Sequence, residues 1–114
     1  MKIVFIGDII GRTGRDALKK YLPIINNDFN PDVVIVNAEN AAAGYGITEK
    51  ISEEIFSLGV DVITLGNHSW DQKEMLSHIE KNKNIIRPIN YPINVPGRGE
   101  VTIQLKNGKK ILII

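Results

Sequence analysis

The sequence predicts an α/β domain in which a β-α-β-α-β run builds a parallel sheet and a hairpin follows it. Three observations carry this expectation. The runs "KIVFI", "DVVIV" and "VDVITL" are short, apolar and rich in β-branched residues, as buried strands are. The segments between them are too long for hairpin loops and long enough for helical crossovers between parallel strands. Near the end, Asn107-Gly108 separates two strand-like stretches, a dipeptide that favours a tight hairpin turn.

Taken in order, Lys2 to Ile6 reads as a first strand buried on both faces. The helix that follows lies in "RTGRDALKKYLPIINNDF", where Ala17, Leu18, Tyr21, Leu22 and Ile25 fall near a period of 3.6 and Pro23 is expected to kink or end it. Asp32 to Val36 is the second strand. Thr48 is placed to cap a second helix, "EKISEEIFSL", with Gly59 as its stop. Val60 to Leu65 is the third strand, and a third helix is expected from about Gln72 to Lys81. The stretch "IIRPINYPINVPGRGE" holds three of the five prolines and is expected to be an irregular connection. "VTIQLKNGKKILII" then reads as a hairpin closed by a type I′ turn. Because Ile111 to Ile114 is apolar with no polar tail, the expectation for residues 1–114 is the N-terminal part of a single larger domain.

Composition narrows the function classes. At 114 residues, with 43% apolar and 24% charged residues, the chain suits one globular core. Fourteen basic against thirteen acidic residues leave a formal charge of +1, so nothing points to a partner bound mainly by charge, such as nucleic acid or an anionic membrane. With no cysteine there are no disulfides, thiolate nucleophiles or zinc-thiolate sites, so any metal must use oxygen and imidazole donors. No run approaches the roughly 20 apolar residues of a membrane span, and Asp8 interrupts the apolar N-terminus, so a cytoplasmic location without membrane contact is expected.

Ligands of open α/β sheets gather at the carboxyl ends of the strands. Three such ends carry polar chemistry: Gly7-Asp8, Asn37 to Asn40 ("NAEN") and Gly66 to His68 ("GNH"). Asp8 and Glu39 supply carboxylates, Asn40 and Asn67 supply amides, and His68 supplies an imidazole. That set suits Mn, Fe, Mg or Zn rather than a soft metal. A carboxylate can bridge two cations about 3.5 to 4 Å apart that clamp both oxygens of a phosphoryl transfer, and Glu39 is the candidate bridge. Each residue also has a plainer reading: Asp8 as a helix cap, "NAEN" as a polar turn, His78 as a structural histidine, Trp70 as packing. The glycines of "GDIIGRTGR" match neither the dinucleotide fingerprint nor the P-loop. Arg12 and Arg15 near that helix start read equally as phosphate contacts or as solvated charges. The loop "AAAGYGIT" has two glycines within three residues and reads as mobile, so Tyr45 is a candidate substrate contact.

"FIGDIIGRTGR", "VIVNAENAAAGYGIT" and "ITLGNHSWD", in that order, resemble the calcineurin-like metallophosphoesterase superfamily, and within it the YmdB-like bacterial phosphodiesterases. The resemblance implies an α/β/β/α sandwich around a dinuclear metal centre, of which this chain holds the N-terminal β-α-β-α-β half plus a hairpin. It implies hydrolysis of cyclic nucleotides or related phosphodiesters, with RNA-derived cyclic nucleotides among the substrates. It would make Asp8 and Asn40 ligands of one metal, Glu39 the bridge, Asn67 a ligand of the other and His68 the acid that protonates the leaving group. Where the superfamily has a histidine two residues after its first aspartate this chain has Ile10, and Asn40 fills that vacancy in the YmdB-like branch. Relatives add histidines in a second half, an isolated one and a Gly-His-x-His motif, and neither is present here. The expectation is therefore a chain inactive or nearly so alone, completed by a homo-oligomer or by a second chain that supplies the missing half. The rivals are a non-catalytic binding or assembly module and a Rossmann-like nucleotide binder.

Overall fold

The computed structural model describes all 114 residues, Met1–Ile114. Strands β1 (Ile3–Ile6), β2 (Val33–Asn37), β3 (Val62–Thr64) and β4 (Ile85–Ile86) form one parallel sheet in the order β1-β2-β3-β4. Helices α1 (Gly11–Phe29), α2 (Glu49–Ser57) and α3 (Met75–Lys81) are the crossovers. Each strand lies beside its predecessor in the same direction, so crossovers of one hand place all three helices on one face. Leu18, Leu22, Ile55, Met75 and Ile79 of those helices pack there against Val34, Val36, Ile63 and Ile85 of the sheet. The hairpin of β5 (Val101–Gln104) and β6 (Lys110–Ile113) covers the opposite face, where Val101, Leu105 and Ile113 meet Val33, Ile35, Val62 and Ile86. The result is an α/β/β arrangement of layers.

Several elements depart from the sequence-based expectation. β1 is not buried on both faces. It is the sheet edge, and its residues alternate between exposed and half-buried because the hairpin stops short of it; Ile3 is 44% exposed and Phe5 62%. Pro23 does not end α1, which continues six residues further to Phe29 and closes on Asn30 in the left-handed region. Proline removes one backbone donor and crowds the preceding turn, but Leu18 and Leu22 on the buried face hold the helix across it, and Pro23 itself faces water. The proline-rich connection opens with a strand after all: Ile85 and Ile86 pair with Ile63 and Thr64.

The hairpin turn is not type I′, since Gly108 has positive φ (80°) and Asn107 does not. Gly108 N–H donates to the Leu105 carbonyl and Leu105 N–H to that of Lys109, a three-residue loop with glycine at the left-handed position. Helix α2 begins as expected, with the Thr48 hydroxyl accepting from Ile51 N–H at 3.1 Å. Helix α3 starts three residues later than expected, at Met75. No helix is long and apolar enough to cross a membrane.

Candidate metal centre

Asp8, Glu39 and Asn40, and Asn67 and His68 follow the carboxyl ends of β1, β2 and β3, three neighbours in the sheet. Backbone hydrogen bonds past the strand ends fix how these segments leave the sheet. Ile9 N–H donates to Asn37 O (3.1 Å), Gly11 N–H to Asn40 O (2.9 Å) and Ala38 N–H to Thr64 O (3.1 Å). The polar groups are thereby held by the same lattice that builds the sheet.

The structure brings most of them into contact. The Asn40 amide nitrogen lies 2.9 and 3.0 Å from the two carboxylate oxygens of Asp8. Glu39 reaches across to the β3 end, where its carboxylate accepts from His68 N–H at 3.5 Å. It fits there because residue 66 is glycine: a Cβ at Gly66 would lie 2.2 Å from Glu39 Oε2 and 2.4 Å from Oε1. Asn67 is exposed at the same edge. No three His, Cys, Asp or Glu side chains gather anywhere in the chain, so a cation here depends on the asparagine oxygens as well as on the two carboxylates.

His68 is oriented by a residue the sequence reading passed over. Its Nδ1 lies 2.6 Å from Asp71 Oδ2, three residues on, which leaves Nε2 directed elsewhere. The acid itself stands in "GNHSWD", but the turn that returns it to the histidine is seen only in the structure. Tyr45 stands edge-on to the imidazole with ring centroids 6.1 Å apart and is 65% exposed. Its loop is tied down by several hydrogen bonds. Ala42 N–H donates to Gly46 O, Arg15 donates to Ala41 O, and the Gln72 amide donates to Tyr45 O at 2.7 Å. Arg15 is thus used to hold this loop, whereas Arg12 is exposed.

His78 takes no part in the site. It is buried between α2 and α3, with Nε2 2.9 Å from Ser52 Oγ and Nδ1 3.3 Å from Glu49 Oε1. Trp70 is half-buried against Tyr91, with centroids 5.3 Å apart. An apolar groove of about 300 Å³ between β1 and α1 ends on Asp8. A larger cavity of about 570 Å³, between α1 and α2, contains none of the candidate site residues.

The model of the YmdB-like protein family matches residues 4–114. A 2′,3′-cyclic-nucleotide 2′-phosphodiesterase of Bacillus subtilis (strain 168) is 45% identical over 114 residues, which is 100% of this chain and 43% of the relative. Among solved structures, a hypothetical protein from Thermus thermophilus superposes with a TM-score of 0.90 at 37% identity, over 98% of this chain and 43% of that one. A phosphatase from Mycoplasma pneumoniae gives 0.89 at 34% identity, over 98% and 41%. The chain thus spans less than half the length of these relatives. With a family match across nearly every residue and the same backbone in both solved structures, the chain belongs to the YmdB-like family.

Proposed function

We propose that the carboxyl edge of the sheet holds divalent cations for phosphodiester hydrolysis, with 2′,3′-cyclic nucleotides or related phosphodiesters as substrates. One observation carries the reading. Asp8 with Asn40, and Glu39 with the His68 backbone, meet at the ends of three adjacent strands, and Glu39 occupies space that any side chain at residue 66 would fill. The names of the relatives support the same class of reaction.

The donor set fits hard or borderline cations. Asp8 and Glu39 give carboxylate oxygens, Asn40 and Asn67 give neutral amide oxygens, and sulfur is absent. The Asn40 amide lies against Asp8 by its nitrogen, and a half-turn of that amide presents its oxygen in the same envelope. Asp8 and Asn40 would hold one cation, Glu39 would be shared, and Asn67 would serve a second. Two such cations supply Lewis-acid stabilisation of the charge on the phosphoryl oxygens.

The remaining chemistry belongs to the chain. Asp71 accepts a hydrogen bond from His68 Nδ1–H, and with the ring as imidazolium Nε2–H donates to a phosphate oxygen and passes its proton to the leaving alkoxide, leaving His68 neutral. Tyr45, edge-on to that imidazole, lines the substrate side. Further donors come from sequence outside these 114 residues, supplied by a second chain or by the remainder of a longer one.

The test is Mn²⁺-dependent hydrolysis of bis(p-nitrophenyl) phosphate, by the 114-residue chain and by a chain extended with the second half of a relative. The extended chain is expected to turn over, and His68→Ala to lose about 10²–10⁴-fold, the usual worth of general acid catalysis. Asp71→Asn is expected to lose less. Turnover by the extended chain that is indifferent to metal or to His68→Ala contradicts the proposal.

A second reading, a non-catalytic binding or assembly module, is favoured by the exposed apolar pair Ile3 and Phe5 on the edge strand. Self-association of the chain without metal-dependent turnover in either form supports it.

A further inference from the structure

Arg87 is buried, only 5% exposed, at the carboxyl end of β4, and it forms no ion pair with any carboxylate. A buried unpaired guanidinium costs several kcal/mol unless its donors are used. Here they meet backbone carbonyls: Nη1 donates to Pro88 O at 3.0 Å and Nη2 to Pro92 O at 3.5 Å, while Nε has no partner. Both acceptors belong to the loop of residues 88–97. Its ends are closed by Arg87 N–H on Arg98 O (3.0 Å), and its last residue is held by Gly97 N–H on Glu80 Oε1 (2.7 Å). Pro88 O and Pro92 O each also accept from within the loop, from Tyr91 N–H (3.3 Å) and Val95 N–H (3.2 Å), so Arg87 ties the two turns of the loop together.

The loop bears on the candidate site through one contact. Tyr91, whose N–H donates to Pro88 O, stacks on Trp70. The Trp70 Nε1 is buried without a protein acceptor, so no hydrogen bond from the indole to the protein supplements its tilted contact with Tyr91. Trp70 lies between Ser69, whose hydroxyl and N–H both bond the Gly66 carbonyl, and Asp71, which holds His68.

We propose that Arg87 is a positioning residue: by gripping the carbonyls of Pro88 and Pro92 it presses Tyr91 onto Trp70 and so fixes the 66–71 segment that presents Asn67 and His68. The catalytic meaning of this rests on the phosphodiesterase reading, but the linkage itself is tested without ligand or turnover.

Trp70 is the only tryptophan, so its near-UV circular dichroism reports the stack directly. Arg87→Met keeps the volume and removes the donors. With far-UV dichroism retained, it is expected to lose the Trp70 band and to shift the amide resonances of Gly66 to Asp71. Tyr91→Leu, with Arg87 intact, is expected to give the same pattern, and the double variant to add nothing to either, as members of one coupled unit behave. Arg87→Lys, a single point of charge without the fork, is expected to fall between wild type and Met. A folded Arg87→Met with a native Trp70 band and unmoved 66–71 resonances overturns the proposal, even if it melts at lower temperature. Should that variant not fold, a wild-type band in Arg87→Lys, or resonances unmoved by Tyr91→Leu, overturns it equally.

Discussion

At the scale of single residues, glycine 66 decides whether the two carboxylates can share the sheet edge. Any Cβ there overlaps all three atoms of the Glu39 carboxyl group within 2.4 Å, so that carboxyl group must shift from its present position. Gly66→Ala is therefore expected to weaken Mn²⁺ binding by about 10–100-fold, the range found for changes that disorient a metal ligand. Calorimetric titration of both forms checks this, and equal affinities contradict it.

Asp8, Glu39, Asn40, Asn67 and His68 were legible as strand-end residues because each follows an apolar run that ends in a polar cluster. Asp71 and Arg87 were not. Asp71 acts through a turn whose path three residues of sequence do not reveal. Arg87 looks like any surface arginine until the loop that covers it is placed.

At the scale of elements, periodicity and capping were reliable where burial is one-sided. Thr48 starts α2 where its hydroxyl can accept from Ile51, and Leu18 and Leu22 mark the buried stripe of α1. What the pattern missed is governed by tertiary contacts. β4 is only two residues long, and it exists because Ile85 and Ile86 are buried on opposite faces of the sheet.

Pro23 was expected to kink or end α1, yet packing outweighs its cost of about 3 kcal/mol in a helix interior. Pro23→Ala restores the missing donor at an exposed position. After the gain in unfolded-chain entropy is deducted, it is expected to stabilise the chain by about 2–2.6 kcal/mol. Urea unfolding measures this, and a destabilised variant would mean that Pro23 makes packing contacts beyond those described.

At the scale of the whole molecule, the order of strands and the short hairpin leave one side unfinished. The parallel sheet and its helices were legible from the β-α-β rhythm. The exposure of β1 was not, because a continuous apolar run reads the same whether or not a second layer reaches it. Ile3 and Phe5 are open to solvent beside an unpaired strand edge, an arrangement that favours association. The chain is expected to self-associate at micromolar concentration, and Phe5→Lys to shift it toward monomer. Light scattering after gel filtration reads both, and a wild-type monomer at high concentration contradicts the expectation.

A cation site at the carboxyl edge of the sheet would show in a Mn²⁺ titration followed by paramagnetic broadening of backbone amide resonances. Residues 7–9, 38–41 and 66–69 are expected to broaden first, and Glu39→Gln to abolish the effect. Broadening that begins elsewhere, or that survives Glu39→Gln unchanged, contradicts it.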